Sequence, residues 1–180
     1  MWRSKGWEKA QVSRNEKKVF DGRLIKVFSK HQKLPNGKKT YLEKVHHPGA
    51  AVIVPLVKQK VVMIRQYRPV IDKYIWELPA GTLDAGEKPG TCAKREIREE
   101  TGYIAKRIER LGYIYTTPGF CNEKIHIYRI WCEEKKDQKK EEDEIISVRL
   151  MTRSQICKRF RKGLITDAKT IAALKFADLL

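Results

Sequence analysis

Cysteine is scarce in this chain. Cys92, Cys121, Cys132 and Cys157 are four thiols in 180 residues, too few and too widely spaced for a disulfide scaffold or a CxxC metal pair. They read as reduced, mostly buried thiols. Long apolar runs are missing too. None approaches the roughly 20 residues of a membrane span, and the opening MWRSKGWEKAQ lacks the apolar core of a secretory signal. The expectation is therefore a soluble, cytoplasmic protein without membrane partners. Acidic side chains are the scarce sign of charge, 22 against 39 basic ones, for a net charge of +17. Such an excess invites a nucleic-acid reading. Aromatics make up only 9% of the chain, however, and no RNA-binding or zinc-finger pattern appears. The cations are scattered, so the reading is a basic solvated surface that also steers anionic substrates, with nucleic acid not the main partner.

What is present is enough for one domain: 180 residues with 41% hydrophobic content can bury a proper core. Residues 1–18 are polar and basic, with Trp2 and Trp7 as isolated apolar anchors, and are expected to be partly disordered. From Val19 the text becomes strand-like. RLIKVFSKHQKL, the turn Pro35-Asn36-Gly37 and KTYLEKVHH together predict a hairpin. His46 and His47 precede Pro48-Gly49 without a carboxylate or cysteine at useful spacing and are not read as ligands. Ala50 to Val57 and Val61 to Gln66 form a second, buried hairpin across Lys58-Gln59-Lys60. Tyr74 to Leu78 is a further strand that ends at Pro79-Ala80-Gly81, leaving backbone carbonyls able to act as neutral oxygen ligands. Ile108 to Thr117 and Glu123 to Cys132 alternate as strands around Pro118-Gly119-Phe120. Glu133 to Glu144 carries seven acids and four lysines and reads as a solvated loop, followed by the strand IISVRLM. Two helices close the chain, Arg153 to Arg161 and Asp167 to Leu180, the second with Asp167 as its N-cap. Interleaved helices and hairpins give an α+β or mixed α/β class with helices covering a mixed sheet.

The acids that do occur are concentrated. Five lie within the seventeen residues from Asp84 to Glu100. Pro89 and Gly102 frame a helix there, because proline suits a first turn and glycine the left-handed position past the end. Ala93, Ile97 and Thr101 stack on one side, while Glu96, Glu99 and Glu100 at i, i+3 and i+4 share the neighbouring stripe and point at one small volume. Unneutralised, each like-charge pair costs about 0.2–0.5 kcal/mol on an exposed helix. A solvated acidic face with Arg95 paired to Glu99 is one explanation. A hard divalent cation such as Mg²⁺, which takes oxygen ligands and phosphates, is the other.

The full spacing is Gly81, five others, Glu87, seven others, Arg95-Glu96-Ile97, one other, Glu99-Glu100, one other, Gly102 and a bulky apolar residue. It resembles the Nudix box at every fixed position, with Tyr103 standing where that family more often has an aliphatic residue. Beyond the box, QYRP, YIWELPAG, YTTPGFCNEKIHIY, the acidic loop and GLITDAKTIAAL are similar to the ADP-ribose pyrophosphatase branch of the Nudix hydrolases from about Val19 to the C-terminus. Pro118, 16 positions after Gly102, fits a marker of that branch. The resemblance implies an α/β/α sandwich with a mixed sheet and an N-terminal β extension. It also implies a homodimer in which residues 19–47 pack on the partner subunit, beside a catalytic core of 48–180.

The activity implied is Mg²⁺-dependent hydrolysis of ADP-ribose to AMP and ribose 5-phosphate, with Mn²⁺ as a substitute. Carried over by position, Glu96 and Glu100 would be the principal metal ligands. Glu99 would be a further ligand or a water-positioning group, Glu87 an outer ligand, and the Ala80 carbonyl would complete the set. Arg95 would orient the glutamates, Arg68 would bind the diphosphate, and Pro118 and Gly119 would contact substrate. The general base would come from the loop near Glu141 to Glu144, with Glu142 or Glu144 favoured. Other nucleoside-diphosphate sugars such as GDP-mannose are the rival substrates. An RNA-binding or RNA-hydrolysing protein is the rival from another class.

Overall fold

The structure, a computed structural model, describes residues 16–22, 25–135 and 146–180. Its first three strands, β1 (Lys17–Asp21), β2 (Lys26–Lys33) and β3 (Lys39–His46), form an antiparallel sheet of their own in the order β1-β2-β3. The expected β2–β3 hairpin is there, closed by Gly37 N–H donating to Leu34 O (2.9 Å) and Leu34 N–H to Lys38 O (2.7 Å). β1 is an additional strand. KKVFD shows no alternation to announce it, because all five of its residues remain exposed. This small sheet is tied to the rest of the chain by Val45, whose N–H donates to Phe120 O (2.7 Å) and whose carbonyl accepts from Asn122 N (3.2 Å).

Among the described residues the main sheet has seven strands. β4 (Ala50–Val57) lies between β5 (Lys60–Arg68) and β9 (Lys124–Lys135). β8 (Tyr103–Tyr115) and β10 (Ile146–Met151) are at its two ends. A 3-10 turn over Pro69–Ile71 leads from β5 into β6 (Lys73–Glu77), which pairs back on β5, and β7 (Ala80–Thr82) pairs on β4. β4 and β9 run parallel and the remaining pairs antiparallel, so the sheet is mixed.

Both faces of β4 are covered, which is why its first five residues are apolar without alternation. Val52 and Val54, with Val61, Met63 and Ile127, face Ile156, Ala173 and Leu174 of two helices, α2 (Arg153–Arg161) and α3 (Ala168–Phe176). Ala51 and Ile53, with Val62 and Ile130, face Cys92, Ala93 and Ile97 of α1 (Pro89–Thr101). The result is the expected α/β/α sandwich. Ile97 is fully buried, and truncating such a side chain to alanine typically costs about 2–5 kcal/mol.

The helix ends follow from local chemistry. Gly102 takes φ 77 and its N–H donates to Arg98 O at 2.9 Å, closing α1 where the sequence predicts. α2 opens with a capping box, Gln155 N–H to Thr152 Oγ1 (3.3 Å) and Thr152 N–H to Gln155 Oε1 (2.9 Å). Asp167 caps α3 through Thr170 N–H at 2.9 Å. α3 stops at Phe176 and does not continue to Leu180, because Asp178 adopts φ 57 and Leu179 N–H turns back to Leu174 O (2.9 Å).

Two other details differ from the sequence reading. The chain does not leave the sheet at Pro79. Pro79 O accepts from Ile53 N (2.9 Å) and β7 follows at once. Of the four thiols, all free, only Cys92 and Cys132 are buried, and Cys121 and Cys157 are partly exposed. Burial pushes both buried thiols up to about 12, which makes them inert as nucleophiles. Among the described residues no helix is long and apolar enough to cross a membrane.

Candidate active site

The site is built where β7 meets α1. β7 pairs with β4 so that Gly81 lies opposite Ala51, and Ala80 and Thr82 lie opposite Val52 and Ala50. The bonds Ile53 N–H to Pro79 O and Leu83 N–H to Gly49 O make the odd-numbered positions the hydrogen-bonded pairs of this antiparallel ladder. The backbone groups of Ala80 and Thr82 consequently point away from β4. Both are used: Ala80 N–H donates to Glu100 Oε2 (3.1 Å), and Thr82 O accepts from Arg95 Nη2 (3.2 Å).

Gly81 between them allows close approach. A Cβ there would lie 1.8 Å from Glu96 Oε1 and 1.9 Å from its Cδ, so the Glu96 carboxylate occupies the space that any other residue would fill. This is a steric reason for glycine at the first position of the motif.

Arg95 holds the acidic group together. Its Nε and Nη2 donate to the two oxygens of Glu87, each at 3.0 Å, and Nη1 donates to Glu96 Oε1 (2.5 Å) and Glu99 Oε2 (3.0 Å). These bonds, Glu87 first, raise the Arg95 pKa and keep it charged. Burial opposes ionisation of Glu87, but the bonds from Arg95 and from Asp84 N–H (3.0 Å) hold it below its ordinary value. The Arg95–Glu99 pair of the solvated-face explanation is therefore present, as one contact of a larger set. The predicted convergence of three carboxylates is changed in detail: Glu96 and Glu99 meet on the Arg95 guanidinium, whereas Glu100, almost wholly buried, turns to the Ala80 backbone. Among the described residues no three acidic, histidine or cysteine side chains already surround one metal-sized point. The donor set is nonetheless all oxygen, from Glu87, Glu96, Glu99 and Glu100 with the outward Ala80 carbonyl, and this is the chemistry a hard cation such as Mg²⁺ takes.

Arg68 lies at the end of β5. Its Nε donates to Glu77 Oε1 (2.6 Å) and its Nη2 to Glu77 Oε2 (2.7 Å). Lys169 of α3 donates to the same carboxylate and is paired with Asp167 at 2.9 Å. Glu77 is fully buried. Against that desolvation, Arg68 and Lys169 hold its pKa below the ordinary value, and the Glu77 bond in turn raises that of Arg68. Neither Glu77 nor Lys169 emerged from the sequence reading. The available signal was an acid inside the apolar run YIWEL, since a buried charge needs partners.

Pro118 and Gly119 lie elsewhere, in the turn between β8 and β9. With Tyr115 and Phe120, and with Leu42 and Lys44 of β3, they line a cavity of about 270 Å³ between the two sheets. Glu142 and Glu144 lie outside the described residues. His47 Nδ1 accepts from Gly49 N–H (3.1 Å), so its 3.5 Å approach to Glu123 is not an ion pair. Burial lowers the pKa of His47 and keeps the ring neutral.

Comparison with known proteins gives the family. Residues 45–174 match the NUDIX domain. The ADP-ribose pyrophosphatase of Bacillus subtilis is 35% identical over 167 residues, covering 91% of this chain and 90% of that protein. The methanol dehydrogenase activator of Bacillus methanolicus is 37% identical over 164 residues, 89% of each. A GDP-mannose pyrophosphatase of Cronobacter sakazakii is 36% identical over 141 residues, 73% of each. A crystal structure of an ADP compounds hydrolase superposes with a TM-score of 0.81 at 23% identity, covering 92% of this chain and 90% of that one, which extends the agreement to the fold. With the box residues assembled on β7, on α1 and on the turn between them, and the match spanning the main sheet, the chain belongs to the Nudix family of hydrolases.

Proposed function

We propose that this Nudix hydrolase cleaves the diphosphate of ADP-ribose, giving AMP and ribose 5-phosphate. The observation that carries the reading is the Arg95-centred set of Glu87, Glu96 and Glu99 beside Glu100 and the outward face of β7. A diphosphate must have its charge neutralised and a water aimed in line at phosphorus. Mg²⁺ held by Glu96 and Glu100, with Glu99, Glu87 and the Ala80 carbonyl, would supply charge neutralisation and a more acidic water there. Mn²⁺ fits the same donors. Arg95 fixes the directions of the glutamates, and the partly exposed Arg68, braced by Glu77, is available to a phosphate oxygen. The cavity beside Pro118 and Gly119 gives a place for a part of the substrate remote from the diphosphate, whose binding can orient it for attack.

Glu142 or Glu144 is assigned as general base. Replacing the correct one by glutamine removes about 10²–10⁴-fold in turnover with substrate binding kept. Full activity in both variants would remove the loop from the mechanism. The dimer through residues 19–47 and a cytoplasmic location belong to the same reading.

Assay of nucleoside monophosphate release with Mg²⁺ tests the substrate: kcat/KM should be higher for ADP-ribose than for GDP-mannose or nucleoside triphosphates. The similarity to GDP-mannose pyrophosphatases makes that sugar nucleotide the second reading, and a preference for it would replace the first.

A further inference from the structure

The structure concentrates part of the net charge of +17 on one helix. From Arg153 to Lys162 the chain has five cations and no acid. Arg153, Ser154, Cys157, Lys158, Arg161 and Lys162 form one open face along α2. Positions four apart on a helix are about 6 Å apart along its axis. Arg153 and Arg161 therefore fall in one row, with Cys157 between them, and Lys158 and Lys162 in the next, beside Ser154. The four cations are exposed and none forms an ion pair with a described carboxylate. Ile156, fully buried, anchors the opposite side of the helix. The fifth cation, Arg159, is turned away, with its guanidinium 5.4 Å from the Trp76 ring centroid.

Helix electrostatics account for only part of this arrangement. Lys158 and Arg161 near the C-terminus complement the helix dipole, but Arg153 is in the first turn, where the dipole disfavours a cation. Four like charges on one face repel one another, and a chain of regularly spaced anions relieves that repulsion along its whole length. The residues lining this face offer four cations, one hydroxyl and one thiol, with no aromatic side chain among them to stack on a base.

We infer that the exposed face of α2 binds the phosphodiester backbone of a nucleic acid without reading its sequence. The surface is distinct from the hydrolase site and does not depend on which nucleotide that site cleaves.

The test is fluorescence anisotropy with a short labelled oligouridylate. For four phosphates on a single strand, log affinity should fall with log salt at a slope of about −2.8, or about 50-fold between 50 and 200 mM. The variant Arg153→Ala/Lys158→Ala/Arg161→Ala/Lys162→Ala should lose that slope. So should the smaller charge reversal Arg161→Glu/Lys162→Glu, at least in part, with ADP-ribose hydrolysis retained in both. A second set, Lys33→Ala/Lys38→Ala/Lys39→Ala/Lys60→Ala, removes the same charge from exposed turns on other elements and should leave the slope intact. Equal losses in the two sets would reduce the effect to overall charge and overturn the inference. Failure of the unmodified protein to bind would also overturn it, as would stronger capture by phosphatidylserine vesicles than by the oligonucleotide.

Discussion

Arg68 grips both oxygens of Glu77, at 2.6 and 2.7 Å, and that carboxylate has no solvent exposure at all. Lys169, arriving from α3, binds the same group. One buried acid thus ties β5, β6 and the start of α3 together, next to Leu78, whose N–H donates to Thr170 Oγ1 (2.8 Å).

Replacing Glu77 by glutamine should destabilise the protein. Breaking a buried pair costs about 3–5 kcal/mol, and the lower end applies because Arg68 can reach water. The pH dependence has a definite sign. Since the folded pKa of Glu77 lies below its ordinary value, its contribution is complete above about pH 4.3 and is lost as pH falls through the folded value. Thermal melts from neutral pH downward should show a shallower acid loss in Glu77→Gln than in the unmodified protein. Parallel acid profiles would mean that Glu77 carries no such linkage.

Gly81→Ala should separate folding from activity. The new Cβ would sit 1.8 Å from Glu96 Oε1, and what must move is the far end of a long side chain and not backbone. A well-folded enzyme with turnover reduced by the roughly 10–100-fold typical of disturbing a metal site's outer partners is expected. Circular dichroism and steady-state kinetics on the same sample check it, and unchanged kcat would show that Glu96 is not needed where it stands.

Glu100→Gln should still fold, because a glutamine amide oxygen can accept from Ala80 N–H as Glu100 Oε2 does at 3.1 Å. Its response to metal should change. A ligand bound only by the native state at a hundred times its Kd stabilises by about 2.7 kcal/mol, so millimolar Mg²⁺ should raise the Tm of the unmodified protein and have much less effect on the variant. Coincident melts with and without Mg²⁺ in the unmodified protein would argue against the carboxylates as a cation site.

The N-terminal sheet should govern assembly. Val19, Phe20 and Tyr41 are each at least half exposed, on an element with few contacts to the main sheet, and such apolar surface marks an interaction site. Light scattering should give a dimer for the unmodified chain and a monomer for Phe20→Asp/Tyr41→Asp. A monomer in both would remove the dimer from the proposal.

Much of this protein follows from local rules. Pro89 and Gly102 bound α1, Asp167 caps α3, and apolar runs on β4 and β5 mark the buried hairpin, because proline geometry, left-handed glycine and side-chain periodicity act over a few residues. The acidic motif could be read for the same reason: its spacing within one helix places Glu96, Glu99 and Glu100 on adjoining turns. What only tertiary structure decided is where those groups point. β7, three residues without strand character, exists because β4 offers it a partner, and its register turns the Ala80 and Thr82 backbone toward α1. Gly81 is required by a contact with Glu96, fifteen residues away in sequence. Glu77 finds Lys169 across more than ninety residues, and the cations of α2 are gathered on one face by the burial of Ile156 on the other. Pairings across such separations depend on how sheet and helices stack, and that is settled by burial of the whole core and not by any one stretch of chain.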